Sequence, residues 1–98
     1  MKLSKSEIID KLKDEKEFLE KEFGVISIGL FGSYAREENQ NDSDIDLFVE
    51  LRRACFDDLA GIQLYLESMF SQKVEIILKN NYLKPNFVNR IKKDLVYV

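Results

Sequence analysis

Histidine and tryptophan are absent from this 98-residue sequence, cysteine and proline occur once each, and glycine only four times. Without His, catalytic triads, proton relays and metal sites that depend on imidazole are excluded. The lone Cys55 can form no internal disulfide, and a Cys cluster for structural zinc is impossible. Scarce Gly and Pro leave little material for long structured loops. No apolar run approaches the roughly 20 residues needed to cross a bilayer, and the first two dozen residues alternate charged with apolar side chains. Neither a transmembrane role nor a cleaved secretory signal is expected, and the cytoplasm is the expected location.

What is present suits one globular domain spanning residues 1–98. The chain is 45% hydrophobic and 34% charged, and its seven Phe and four Tyr argue against disorder. Its charge is unevenly placed. The net charge is −3, yet segment 37–67 holds nine acids against Arg52 and Arg53 alone, a balance of −7. Segment 68–98 holds six basic residues against Glu75 and Asp94, a balance of +4. An acidic chain is a poor nucleic-acid binder, because backbone phosphates demand a positive footprint. The acidic middle suits a metal ion or a basic partner, and the basic tail an anionic ligand.

The pattern reads as helix, strand, strand, helix, strand, helix. Ser4 and Glu7 fit a capping box ahead of a helix over 5–23, whose apolar stripe is Ile8, Leu12, Leu19 and Phe23. Gly24 suits the left-handed residue that closes it. Residues 25–31, VISIGLF, form a buried strand ended by Gly32-Ser33, with a helical turn over Tyr34–Glu37 and a polar loop over 38–43. A second strand covers 44–50, with Ile45, Leu47 and Val49 on one face and Asp44, Asp46 and Phe48 on the other. A helix over 54–70 follows, in which Gly61 marks a close packing contact, and then a strand over 73–78. Pro85 opens a last helix reaching about Tyr97, with Phe87, Val88, Ile91 and Leu95 at helical spacing. The hydrophobic end, Leu95 to Val98, fits either a partner interface or docking onto the sheet. The expected fold class is α/β (α+β): a short mixed sheet, including a crossover helix between the second and third strands, with helices packed against it.

Chemistry concentrates in G32-S33-Y34-A35-R36 and S43-D44-I45-D46-L47-F48-V49. Two carboxylates two apart on a strand point the same way, with Cα atoms about 7 Å apart, and can converge on hard divalent cations such as Mg²⁺. Glu75, on the next strand, is the candidate third ligand. Two such ions can bind a nucleoside triphosphate and neutralise developing phosphoryl charge. Gly32 lets backbone approach a phosphate without a side-chain clash, and Ser33 supplies a hydroxyl and an N–H. Spacing alone decides nothing: roughly three acidic pairs two apart are expected by chance, and four occur. Context separates Asp44/Asp46, which begin an apolar strand where Asp is disfavoured. At this level a metal site and a solvated strand edge both remain open. Arg36 fits a phosphate or ribose contact, or an ion pair with Glu37, Glu38 or Asp42. Ser43 fits a nucleotide contact or an ordinary turn. Lys73, Lys79 and Lys84 could guide a triphosphate or simply solvate strand and loop ends, and Tyr34 fits packing over the turn better than ligand contact.

GSYAR followed by SDIDLFV resembles the signature of the DNA polymerase β-like nucleotidyltransferase superfamily, most closely its minimal nucleotidyltransferase (MNT) branch, found as the antitoxin beside HEPN-domain toxins. The resemblance extends over essentially the whole chain. It implies a minimal nucleotidyltransferase fold, with Gly32 and Ser33 as the phosphate-holding pair, Asp44 and Asp46 as the first two metal-binding acids, and Glu75 where the third is expected. The third acid of the family is usually Asp, one methylene shorter than Glu75, and many relatives carry Gly at the position of Glu37. The implied activity is transfer of AMP from ATP to a hydroxyl with two Mg²⁺ ions; the implied acceptor is a tyrosine of a HEPN toxin. A fold that neutralises its toxin by stoichiometric binding without transfer is the alternative, and a small hydroxylated molecule or an RNA end a third acceptor class. A homo-oligomer is compatible with exposed strand edges.

Overall fold

A computed structural model describes residues 3–53 and 55–98. Helix α1 (Lys5–Phe23) opens on the expected capping box: the Glu7 N–H donates to Ser4 Oγ at 3.2 Å and the Ser4 N–H to Glu7 Oε1 at 3.1 Å. It closes at Gly24, whose φ of 73° is the left-handed conformation that only glycine adopts without strain. Strand β1 (Val25–Phe31) runs into the single-turn helix α2 (Gly32–Ala35), and β2 (Ile45–Leu51) follows the polar loop. Helix α3 (Phe56–Phe70) then leads into β3 (Val74–Leu78), α4 (Pro85–Asp94) and the short strand β4 (Val96–Tyr97).

The strands form one mixed sheet in the order β3-β2-β1-β4. β1 is antiparallel to β2 and β4, while β2 and β3 are parallel and joined through α3, as a crossover requires. Ile28 and Leu30 of β1 stand opposite Val49 and Leu47 of β2, and all four are fully buried against Ile8, Leu12 and Leu19 of α1 and Ile62 and Leu66 of α3. The expected alternation along β2 therefore holds, with one addition: Phe48, on the opposite face, is buried too. Gly61 is the anticipated close contact, since a Cβ there would lie 2.7 Å from Phe23 Cε1.

Two expectations are corrected. The helical turn after β1 spans Gly32–Ala35 and not Tyr34–Glu37, because the Arg36 N–H donates to Gly32 O at 3.1 Å and Glu37 already takes φ 60°. Tyr34 is fully buried, its hydroxyl accepting from Gln72 Nε2 at 2.7 Å. The last helix stops at Asp94 and the tail becomes a fourth strand. Leu95 is extended (φ −67°, ψ 127°), and the Val98 N–H donates to Ile28 O at 3.0 Å. Leu95 keeps helical spacing from Ile91, but Val96, Tyr97 and Val98 favour an extended chain, and Gly29 leaves space for it on the sheet. The tail thus docks onto its own sheet. Ala54, expected within the second long helix, lies outside the described residues. Among the described residues no helix is long and apolar enough to cross a membrane.

Candidate active site

Strand register assembles the site. Phe31, the last residue of β1, stands opposite Asp46 of β2, and Asp46 stands beside Glu75 of β3. One line across three strands thus brings the Gly32-Ser33 turn, which follows Phe31, next to two of the three acids. Gly32 has φ 77°, and a Cβ built on it would fall onto Asp46 Oδ2 and lie 3.0 Å from Asp46 Cγ. Glycine is required there both by the backbone and by the carboxylate pressed against it.

Asp46 is half-buried, and its pKa is pushed up to about 6. Desolvation is the largest cause; the charge of Glu75, a hydrogen bond between the two carboxyls and the charge of Asp44 add to it, while Arg36 opposes. Asp44 stands just before β2, where the Ile45 N–H donates to Lys73 O at 3.0 Å and so aligns the start of β2 with that of β3. Glu75 is exposed. Among the described residues no three acidic or Cys side chains converge into a ready-made metal cage. Asp44, Asp46 and Glu75 offer hard oxygen donors only, and burial together with the neighbouring acids lifts the pKa of the central one. That chemistry fits Mg²⁺, which is commonly held by one or two carboxylates with substrate phosphates and water completing its shell.

An open cleft of about 360 Å³ lies over Asp46, walled on one side by Gly32, Ser33 and Arg36 and on the other by Phe87, Arg90, Ile91 and Asp94 of α4. Arg36 Nη1 donates to Asp94 Oδ2 at 2.9 Å and its Nε to Glu38 Oε2 at 3.4 Å. These carboxylates, Asp94 foremost, raise the guanidinium pKa. The Glu38 partner is among those expected from the sequence; Asp94, 58 residues away, is not. Ser43 sits outside the cleft lining as a turn residue, its Oγ accepting from the Gln40 N–H at 2.8 Å and its own N–H donating to Gln40 O at 3.2 Å. Glu37 has φ 60°, the left-handed region, which explains why Gly suits that position. The contribution of α4 escaped the sequence reading. Its signal was the spacing 87, 90, 91, 94, which places four residues on one helical face, two of them charged and hence ill suited to a core.

The family model described as nucleotidyltransferase domain matches residues 9–98. The chain belongs to this family. The nucleotidyltransferase is 38% identical over 96 residues to MJ1379 of Methanocaldococcus jannaschii, named as a candidate protein adenylyltransferase, covering 95% of this chain and 96% of that one. It is 32% identical over 102 residues to the protein adenylyltransferase MntA of Thermococcus cleftensis, covering 98% and 97%. Among solved structures, a candidate minimal nucleotidyltransferase superposes with a TM-score of 0.79 at 24% identity, covering 96% and 95% of the two chains. The fold of this nucleotidyltransferase is therefore the minimal one. The same fold occurs in a toxin–antitoxin structure with AMP-PNP (TM-score 0.68, 20% identity, 97% and 72% covered). It recurs in a complex of the tri-AMPylated Shewanella oneidensis HEPN toxin with its MNT antitoxin (TM-score 0.58, 18% identity, 95% and 66% covered).

Proposed function

We infer that this nucleotidyltransferase moves AMP from ATP to a tyrosine hydroxyl of a HEPN-type toxin in the cytoplasm and so acts as its antitoxin. The observation that carries the reading is the abutment of Gly32 on Asp46 in a cleft that Arg36 and Arg90 also line, with Glu75 in register beside Asp46 on the neighbouring strand and outside the cleft lining. The named activity of MntA supports the adenylyl group, and the S. oneidensis complex supports the toxin partner. In this reading Gly32 and Ser33 hold the β- and γ-phosphates, and Arg36 contributes positive charge on the same wall. The acceptor oxygen attacks the α-phosphorus, a new O–P bond forms, the α–β anhydride bond breaks and pyrophosphate leaves. The hydroxyl proton passes to Glu75, the exposed member of the acidic set. Asp44, Asp46 and Glu75 are the residues that would hold Mg²⁺, which when bound lowers the pKa of the attacking hydroxyl and neutralises developing charge.

Purified protein, labelled ATP, Mg²⁺ and a HEPN-type toxin form the test. Label should enter a toxin tyrosine, located by peptide mass spectrometry, and the double variant Asp44→Asn/Asp46→Asn should abolish transfer. Tight binding of the toxin with no transfer under several divalent ions would replace this reading with stoichiometric neutralisation, which the extra methylene of Glu75 relative to Asp would then explain.

A further inference from the structure

The two cations on the cleft wall are differently engaged. Arg36 is held by Asp94 and Glu38, whereas Arg90 makes no ion pair among the described residues. Arg90 is nevertheless well placed. Its neighbour Ile91 is buried, α4 begins at Pro85, and the chain leaving its end is bonded to β1, so the helix presents Arg90 to the cleft from a fixed position. A triphosphate entering this cleft meets Asp46 with Asp44 and Glu75 close by, a repulsion that local cations must help to offset. The three lysines singled out from the sequence do not line the cleft, and Lys79 is paired with Glu50 at 3.6 Å.

We propose that Arg90 binds the polyphosphate of the nucleotide from the α4 wall, and that Asp94 is a positioning residue that holds Arg36 on that cleft. The inference rests on the nucleotidyl-transfer reading and adds to it a binding residue from the last helix. A guanidinium can engage two phosphate oxygens at once, and a carboxylate bonded to one edge of Arg36 fixes the direction of its remaining donors.

The test is calorimetric titration of the full chain with ATP and with AMP, each with Mg²⁺ and without any acceptor protein. Arg90→Gln should weaken ATP binding by about 10- to 100-fold, the range for a charge-assisted hydrogen bond, and AMP binding by less than about threefold. Arg90→Lys should recover part of the loss, and Lys93→Gln, on an exposed position of the same helix, should change nothing. Asp94→Asn should weaken ATP binding by about three- to tenfold through Arg36 alone, so that adding it to Arg36→Gln brings no further loss. Circular dichroism and melting of each variant establish that it is folded. Wild-type-like ATP binding by Arg90→Gln, or equal losses for ATP and AMP, overturns the role of Arg90. Additive losses for Asp94→Asn and Arg36→Gln overturn the positioning role. A wild-type protein that binds no ATP removes the nucleotidyl-transfer reading itself and this inference with it.

Discussion

Asp46 is held beside Glu75 and partly out of water, with a pKa of about 6 against an ordinary 3.8. Below about pH 3.8 the carboxyl is protonated in both folded and unfolded chains and costs nothing. As pH rises from there to about 6 the unfolded chain releases the proton more readily, so stability falls, and above 6 the full penalty remains. Asp46→Asn removes the charge and keeps the shape. In metal-free buffer the variant should therefore be more stable than wild type at pH 7.5, by about 1–2 kcal/mol after allowance for solvent screening, with the gain vanishing near pH 3.5. Denaturant melts at the two pH values measure this; a gain independent of pH would assign it to packing instead. Residue by residue, Asp46 stood out because an Asp inside an apolar strand breaks a local rule, whereas the sequence offered Gly32 as a phosphate approach and gave no sign of its contact with Asp46. Arg36 was legible only in part, because its main partner, Asp94, is distant in sequence and nothing local points to it.

At the scale of elements, the long periodic pieces announce themselves. α1 has its capping box and closing glycine, and β2 its alternation. The end of α4 does not, because a leucine four residues after Ile91 satisfies helical periodicity while the choice between helix and strand is made by Gly29 on the far side of the chain. A Cβ on Gly29 would lie 2.6 Å from Leu95 Cδ1 and 3.3 Å from Tyr97 Cδ1. Replacing it with a branched residue should push the tail off the sheet. Gly29→Val is expected to cost about 1–3 kcal/mol, in the range of overpacking, and to speed hydrogen exchange at the Val98 amide, now bonded to Ile28 O. An unchanged exchange rate at Val98 would show that Leu95 simply rotates aside. The same tail supports α4, so loosening it should also blur the cleft wall that carries Phe87 and Ile91.

For the molecule as a whole, charge is arranged so that folding and ligand binding are coupled. From the acidic middle of the sequence Asp46 lines the cleft, the basic last third supplies Arg90, and Arg36, just ahead of the acidic segment, bonds Asp94 of α4. The burial of Asp46, with the charges of Glu75 and Asp44 adding to it, is a standing destabilisation of the free protein that a divalent cation and a triphosphate should relieve together. A ligand that binds only the folded chain, present at 100 times its Kd, adds about 2.7 kcal/mol. In a domain of this size each kcal/mol moves Tm by about 4–8 °C, so saturating ATP with Mg²⁺ should raise Tm by about 10 °C or more. ATP with a chelator should raise it by only a few degrees, because the triphosphate then faces the carboxylates without the cation that joins them. Thermal melts with each component alone and with both together decide the point. Equal shifts with and without the divalent ion would mean that the arginines and the Gly32-Ser33 turn bind the phosphates unaided, and that the acids have no part in holding the nucleotide.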